Sequence, residues 1–305
     1  MSSGKFINAL PGMIIACIVR MLHVLNAIRF DRVFIHRELA PAGPPIYEWI
    51  IVNIFRKKII YDFDDAIWLT DDLNRQRFLS GMKWTSKIGM ICRISYRVSC
   101  GNDYLRSFAL KFNPESYLNP TTIDMQALKG KRRSHQSRKA TIGWTGSHTT
   151  LKYLYGITNE LKEVLTHREI SLTVICNRKP DWDINNYTFI EWNRDTEVED
   201  LLGFDIGLMP LSDDPWTRGK CGFKAMQYLA LGIPALVSPL EVNRQIVDHD
   251  RNGYYCSTPA DWIKYIIELA NDPQKREVFG TSGIRKITDH YSAGSNFTNF
   301  LGLFE

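Results

Sequence analysis

The sequence predicts an α/β chain built on parallel sheets, and three observations carry that prediction. Short apolar runs of strand length alternate with stretches of helical periodicity. The alternation stops at one charged stretch and then restarts. Its clearest instance, residues 203–247, reads strand, basic loop, helix, strand, loop, helix. That order is a βαβ unit, whose loops gather at one edge of a parallel sheet, where ligands bind.

The elements follow in order. Residues 5–29 have helical character, and residues 32–37 form a short strand before the turn cluster at 41–45. A helix over 47–55 leads to a strand at 58–61, which runs out into Asp62, Asp64 and Asp65. The next helix spans about 84–96 and precedes a strand at 97–100. Asp103 lies in the first turn of a helix reaching Lys111, where the helix dipole favours a negative charge. Residues 116–119 are a further strand, closed by the loop 120–124.

Residues 130–139 hold five cations and no apolar side chain, the composition of a solvated hinge rather than of a nucleic-acid patch. The domains expected are therefore 1–130, a linker at 131–139, a second domain at 140–285, and a C-terminal helix and tail at 286–305. The second domain restarts with a strand at 140–144 and a small-residue turn, Gly146-Ser147-His148. Strands at 170–176 and 187–191 and a helix at 197–202 follow.

The run 204–209 has the length of a buried strand and ends at Pro210. A polar loop brings Asp213, Asp214, Arg218 and Lys220 to the helix 223–231, which carries Lys224 and stops at Gly232. Another apolar run covers 234–238, with a helix starting near Asn243 as N-cap. Helices at 259–271 and from 273 to about 290 precede an apolar tail, 297–304, that must pack on something.

Size and composition narrow the function. A chain of 305 residues can hold two domains, and 44% hydrophobic with 23% charged residues is globular. A formal charge of +5 suits anionic small molecules or an acidic membrane surface and is too diffuse for nucleic acid. The six cysteines form no CxxC pair, which reads as reduced cytoplasmic thiols. The apolar stretch 10–25 is interrupted by Arg20 and His23, short of the roughly 20 residues a span requires. It reads as an amphipathic core helix and leaves docking on a membrane surface, at its inner face, open.

A basic loop at helix N-termini suits a phosphate-bearing ligand. Lys220 and Lys224, with Arg218, are the leading candidates to meet it. Gly146 and Ser147 let a backbone approach such a ligand closely. Trp192 follows a strand of the second domain, and Glu241 and Asn243 are placed in the loop before the following helix. Asp62, Asp64 and Asp65 have the spacing of a metal motif, but a cleft-lining or capping role is favoured and no metal is assigned. For His36 and His148 a polar surface role is preferred to catalysis.

The blocks FDIGLMPL, GKCGFKAMQYLALGIPALVS and NGYYCSTPADWIKYIIELAND, in that order, resemble the group 1 (family 4) retaining glycosyltransferases of the GT-B fold. IGWTGS resembles the first strand and glycine turn of that family's donor domain. YDFDDAIWL, SCGNDYLRSFA and LNPTTID resemble its bacterial surface-polysaccharide branch. The resemblance covers about residue 32 to the C-terminus. It implies two Rossmann-like domains facing each other across a cleft, a nucleotide-diphosphate-sugar donor, a glycan or lipid-linked acceptor, and no cofactor. It also implies a front-face displacement in which the leaving phosphate helps to deprotonate the incoming hydroxyl, with Lys220, Lys224, Gly222 and Gln227 in the donor site. On that reading Lys220, Lys224 and Arg218 are cations aimed at the leaving diphosphate, where they stabilise growing charge. Trp192 is then a candidate wall for the nucleobase, Gly146, Ser147, Glu241 and Asn243 stand near sugar or phosphate, and Asp64 or Asp65 is a candidate to assist the acceptor hydroxyl.

Two departures stand out. The chain begins on a helix where the family opens with a strand and a glycine-rich loop, so the first domain is expected to be incomplete. The family's two glutamates, eight positions apart, fall on Gly219 and Gln227. Glutamine still bonds a ribose hydroxyl, whereas glycine cannot replace a carboxylate. The rival expectation is a non-catalytic nucleotide-sugar-binding or partner subunit of a polysaccharide assembly complex.

Overall fold

A computed structural model describes residues 3–40, 43–69, 86–137 and 139–305, with side chains from residue 15 onward. The chain divides into two compact units, residues 1–119 with 299–305, and residues 120–298.

The first unit is built on four parallel strands in the order β1 (Arg32–His36), β2 (Lys58–Phe63), β3 (Arg97–Cys100), β4 (Ser116–Leu118). Helix α1 (Ser3–Asn26) precedes them, and α2 (Ile46–Trp49) continues as a wider turn over Ile50–Ile54. Helix α3 (Lys87–Ile94) comes before β3, and α4 (Asp103–Ala109) follows it. Asn102 caps α4 by accepting the Leu105 amide at 2.8 Å. The apolar tail finds its partner here. In α13 (Phe297–Gly302) and just beyond it, Phe300 and Phe304 pack on Phe34 of β1, and Arg32 donates to the Glu305 carbonyl at 2.8 Å.

The second unit carries six parallel strands: β5 (Ala140–Gly146), β6 (Ile170–Cys176), β7 (Thr188–Glu191), β8 (Ile206–Met209), β9 (Ala235–Val237) and β10 (Gly253–Tyr255). Their order is β10-β9-β8-β5-β6-β7, the doubly wound arrangement in which strand order reverses between β5 and β8. Helices α5 (Leu151–Tyr155), α6 (Thr158–Val164) and α7 (Glu197–Leu201) precede β8. After it come α8 (Pro215–Arg218), α9 (Phe223–Ala230), α10 (Glu241–Ile246), α11 (Pro259–Asn271) and α12 (Pro273–Lys286). Alternate strand residues feed two cores. Ile142, Trp144, Val174 and Leu208 join α6 and α11, while Ile175, Met209, Ala235 and Val237 join α9 and α10.

Glycines make the strand–helix contact close. A Cβ on Gly143 would stand 2.1 Å from the Phe204 ring, and one on Gly207 would stand 2.3 Å from the Tyr228 ring.

Several expectations change. The basic stretch 131–139 belongs to the second unit and is tied to the start of β8. Arg133 bonds Asp205 and the Leu202 carbonyl, and buried His135 lies 2.8 Å from the Gly232 carbonyl oxygen and 3.2 Å from Asp205. Burial alone would raise the Asp205 pKa, but bonds from His135, the Thr141 amide and Arg133 hold it below the usual carboxylate range. Over its described side chains helix α1 is not a core helix. Within residues 15–30 only Val24 and Ala27 are buried, while Ile15, Ile18, Leu22 and Leu25 are exposed. Asn243 is not an N-cap, because α10 begins two residues earlier, at Glu241, with Leu240 before it. Strand β10 was not expected, since three residues at a sheet edge give no periodicity to read. The Trp84 start of the third helix and part of the 41–45 turn cluster lie outside the described residues.

Gly207→Ala is expected to cost about 1–3 kcal/mol by forcing the Tyr228 ring aside. Gly302→Ala, whose Cβ would meet nothing within 4 Å, should cost nothing. Urea denaturation of the two variants checks the contrast.

Candidate functional site

Strands β5 and β8 are paired only through Ile142–Ile206 and Gly143–Gly207. Beyond that point they part, and the phenol of Tyr228 enters the gap. Its oxygen accepts the Thr145 amide at 3.1 Å and donates to the Leu208 carbonyl at 3.3 Å. The ring lies flat over Gly207, the one residue type that admits it. The opening between the strands is thus held by a side chain of α9, and it falls at the carboxyl ends of the strands where their order reverses.

Lys224 stands one turn before Tyr228 on α9, so both side chains leave the same face of the helix. Its ammonium lies 4.5 Å from the centre of the Trp144 ring and directly beside Gly146, whose added Cβ would stand 2.5 Å from Nζ. Burial, together with the charge of Lys220, pushes the Lys224 pKa down to about 7. Lys220 is half-buried and lies 5.8 Å from the Trp216 ring. Gly222 caps α9 at φ 70°, and a Cβ there would also stand 2.2 Å from Ile246. Gly146, Gly222, Lys220 and Lys224 are therefore brought together around the start of α9.

Ser147 closes the turn after β5 through a capping box with Thr150. The next amide, of His148, donates to Asn177 beyond β6 at 2.8 Å. The remaining candidates are placed differently. Arg218 is exposed and forks onto Asp213 at 2.7 and 3.1 Å. Gln227 is half-buried on α9, three residues past Lys224. Gly219 ends α8, buried. Glu241 is exposed in the first turn of α10 rather than in the loop before it. Asn243 is fully buried inside α10, and its amide donates to the Ser238 carbonyl at 2.8 Å. Trp192 follows the edge strand β7, two strands from β5, and its indole N–H donates to Glu197 at 3.0 Å.

In the first unit, Asp64 and Asp65 are drawn together by Arg37, which bonds them at 2.9 and 2.8 Å. Burial opposes the Arg37 charge, but the two carboxylates more than offset it and raise its pKa. Asp62 faces His36 at 2.7 Å. Among the described residues no group of three or more His, Cys, Asp or Glu is arranged to hold a metal ion.

A cavity of about 610 Å³ opens at the carboxyl ends of β8, β9 and β10, lined among others by Ser212, Ser238, Thr258 and Trp262. None of the sequence candidates lines it. A second hollow, near His135, Glu169, Asp272 and Glu277, is acidic and ill-suited to an anion. Sequence reasoning missed Tyr228, Asn177 and the role of Trp144. Lysine and tyrosine at i and i+4, with glycines inside both facing strands, were the signal available for the first.

No protein-family model matches the chain, and no curated protein matches it in sequence. Solved structures do match its fold. Sucrose-phosphate synthase from Thermosynechococcus elongatus aligns over 100% of this chain and 79% of its own, with TM-score 0.67 at 10% identity. Anabaena HepE in complex with UDP-glucose aligns over 93% and 81%, with TM-score 0.67 at 12% identity. TarM of S. aureus aligns over 82% of this chain and 50% of its own, with TM-score 0.62 at 12% identity. The chain has the GT-B fold of these glycosyltransferases, two α/β units each built on a parallel sheet.

The depressed Lys224 pKa makes a prediction about stability. An ordinary lysine titrates near 10.5 and folded Lys224 near 7, so between these values the unfolded chain holds the extra proton and stability rises with pH. Lys224→Met removes that penalty. Its gain in melting temperature over the wild type should grow as pH falls from about 10 to about 7 and level off below. Tyr228→Phe, which loses both bonds across the opening, should cost about 1–3 kcal/mol at every pH between 6 and 9.

Proposed function

We propose that this chain transfers a sugar from a nucleotide-diphosphate donor to a hydroxyl of a glycan or glycolipid, with retention of configuration, in polysaccharide biosynthesis. The observation that carries the reading is the grouping of Lys224, Lys220 and Gly146 at the reversal point of the second sheet. A diphosphate placed there meets two cations, a glycine turn and the start of α9. As the glycosyl bond breaks, charge builds on the leaving phosphate. The fixed ammonium groups stabilise that added charge more than the charge the donor already carries. The leaving oxygen then takes the proton of the incoming hydroxyl on the same face, so no enzymic nucleophile is required. Trp192 serves as a wall for the base, Gln227 bonds the ribose, and Arg218, Ser147, Gly222 and Glu241 complete the donor surroundings, with Asn243 buried behind them in α10. Asp64 and Asp65 act on the acceptor side. No cofactor takes part.

The acceptor is taken at a membrane surface. Helix α1 supports this: Ile15, Ile18, Leu22 and Leu25 are exposed, and the first 30 residues hold Lys5, Arg20 and Arg29 with no acidic residue. Among the described residues no helix is long and apolar enough to cross a membrane.

A second reading, a nucleotide-sugar-binding subunit without turnover, is favoured by one feature. Gly219 and Gln227 stand where the resembling family has carboxylates, and Gly219 is a buried helix end. Titration against UDP-, GDP-, dTDP- and CMP-sugars, followed by a release assay for the nucleotide, separates the two. Micromolar binding with release supports transfer, binding without release supports the subunit, and absence of binding overturns both.

Lys220→Ala with Lys224→Ala should weaken the best donor about 100-fold or more, given two charge-assisted contacts at about 1.5–3 kcal/mol each. UDP affinity of the wild type should fall as pH rises through about 7, where Lys224 loses its proton. Calorimetry from pH 6 to 9 checks this. Vesicles with 30% phosphatidylserine should sediment the wild type, and Ile18→Asp with Leu22→Asp should abolish that.

A further inference from the structure

Three neighbouring strands of the first unit place polar residues side by side near their carboxyl ends. His36 of β1 is in register with Asp62 of β2, and Asp62 with Ser99 of β3, so the three side chains leave one face of the sheet. They form a chain of hydrogen bonds that runs from the interior to solvent. Ser99 is fully buried, accepts the Asn119 amide at 3.1 Å and donates to one oxygen of Asp62. Asn299 in turn donates to Asn119 at 3.3 Å. The Asp62 side chain is 16% exposed, and its second oxygen lies 2.7 Å from His36 Nδ1. The His36 side chain, at the outer end, is 50% exposed.

This order of partners settles what the imidazole presents. A carboxylate only accepts, so Nδ1 carries the proton and the neutral ring offers Nε2 as an acceptor. Nε2 is 3.8 Å from the nearer oxygen of Asp64, beyond hydrogen-bond reach. The groups facing His36 are thus Asp62 and Asp64, with Arg37 and Asp65 next to them. Arg37 takes the left-handed conformation at φ 61°, unusual for a residue with a Cβ. Its amide bonds the Asp62 carbonyl at 2.8 Å while its guanidinium clamps Asp64 and Asp65. A backbone held in that region by several contacts fixes the direction of its neighbours. Satisfying buried Ser99 requires Asp62 alone; a half-exposed imidazole aimed outward on a buried relay is an addition that a purely structural role does not explain.

We propose that His36 is an acceptor-binding residue, its Nε2 accepting a hydrogen bond from a hydroxyl of an uncharged sugar. Asp62 and Ser99 position the ring, and Asp64 lies beside the same hydroxyl. Among the described residues three carboxylates and one guanidinium flank this spot, which disfavours a phosphate or carboxylate and makes the ligand class a neutral polyol. The inference rests on the proposed glycosyl transfer and deepens it by naming the acceptor side.

The test uses the full chain with UDP-glucose as donor and n-octyl β-D-glucopyranoside as acceptor, each varied in turn, for the wild type, His36→Phe, His36→Gln and Asp62→Asn. Loss of one charge-flanked hydrogen bond predicts that His36→Phe raises KM for the acceptor by roughly tenfold or more. Its UDP-glucose affinity, measured by calorimetry, stays at the wild-type value. His36→Gln, whose amide oxygen can still accept, recovers part of the loss. Because Asp62→Asn can weaken folding, its melting temperature is read alongside, and the His36 variants carry the decision. An unchanged acceptor KM in His36→Phe overturns the assignment. So does a fall in UDP-glucose affinity equal to the loss for the acceptor. A wild type that neither binds nor consumes UDP-glucose or the other donors overturns the proposed function, and this inference with it.

Discussion

The hydroxyl of Tyr228 is the contact on which the candidate donor site depends. Two parallel strands that stay paired to their ends leave no crevice, and two that part expose a backbone amide and a carbonyl to a dry interior. Tyr228 resolves both problems, because one phenol accepts from Thr145 and donates to Leu208. It reaches them only because Gly207 lets the ring lie against β8. The helix carrying it is anchored at that point, and Lys224, one turn earlier, is delivered over Trp144 and Gly146. Sheet topology, strand glycines and the position of a cation are thus one constraint.

The cations of the same loop divide by their surroundings. Arg218 is paired with Asp213 in solvent, where an ion pair adds little to stability. Lys224 is packed against an aromatic face with Lys220 nearby, and burial with that repulsion holds its pKa near neutrality. A half-buried lysine with no carboxylate among the groups that shift its pKa is costly to keep charged, and an anionic ligand is the natural relief. Among the described residues the first unit presents the opposite polarity: Asp62, Asp64 and Asp65 gather at its strand ends around Arg37 and His36.

Much of this was legible in the sequence. Periodicity placed nearly every strand, and the loop from Pro215 to Gly222 with Arg218 and Lys220 stood out by composition alone. What escaped was three-dimensional. Arg133 and His135 read as solvated because their partner, Asp205, lies 70 or more residues away and its burial is invisible to a local window. Asn243 read as a cap because the residue type favours caps, whereas it is spent inside the helix on the Ser238 carbonyl. Helix α1 read as a core helix because its apolar content was clear, while the exposure of that content was not. The alignment of His36 with Asp62 and Ser99 was also out of reach, because register is a property of the sheet.

The central claim is that a donor diphosphate sits between the carboxyl ends of β5 and β8, against Lys224 and the Gly146–Ser147 turn. A crystal structure of the chain with UDP tests this most directly. The account predicts the β-phosphate within hydrogen-bond distance of Lys224 Nζ and beside the Gly146 backbone, with Tyr228 unmoved. UDP seated instead in the cavity lined by Ser212, Ser238 and Thr258, with Lys224 untouched, would contradict it.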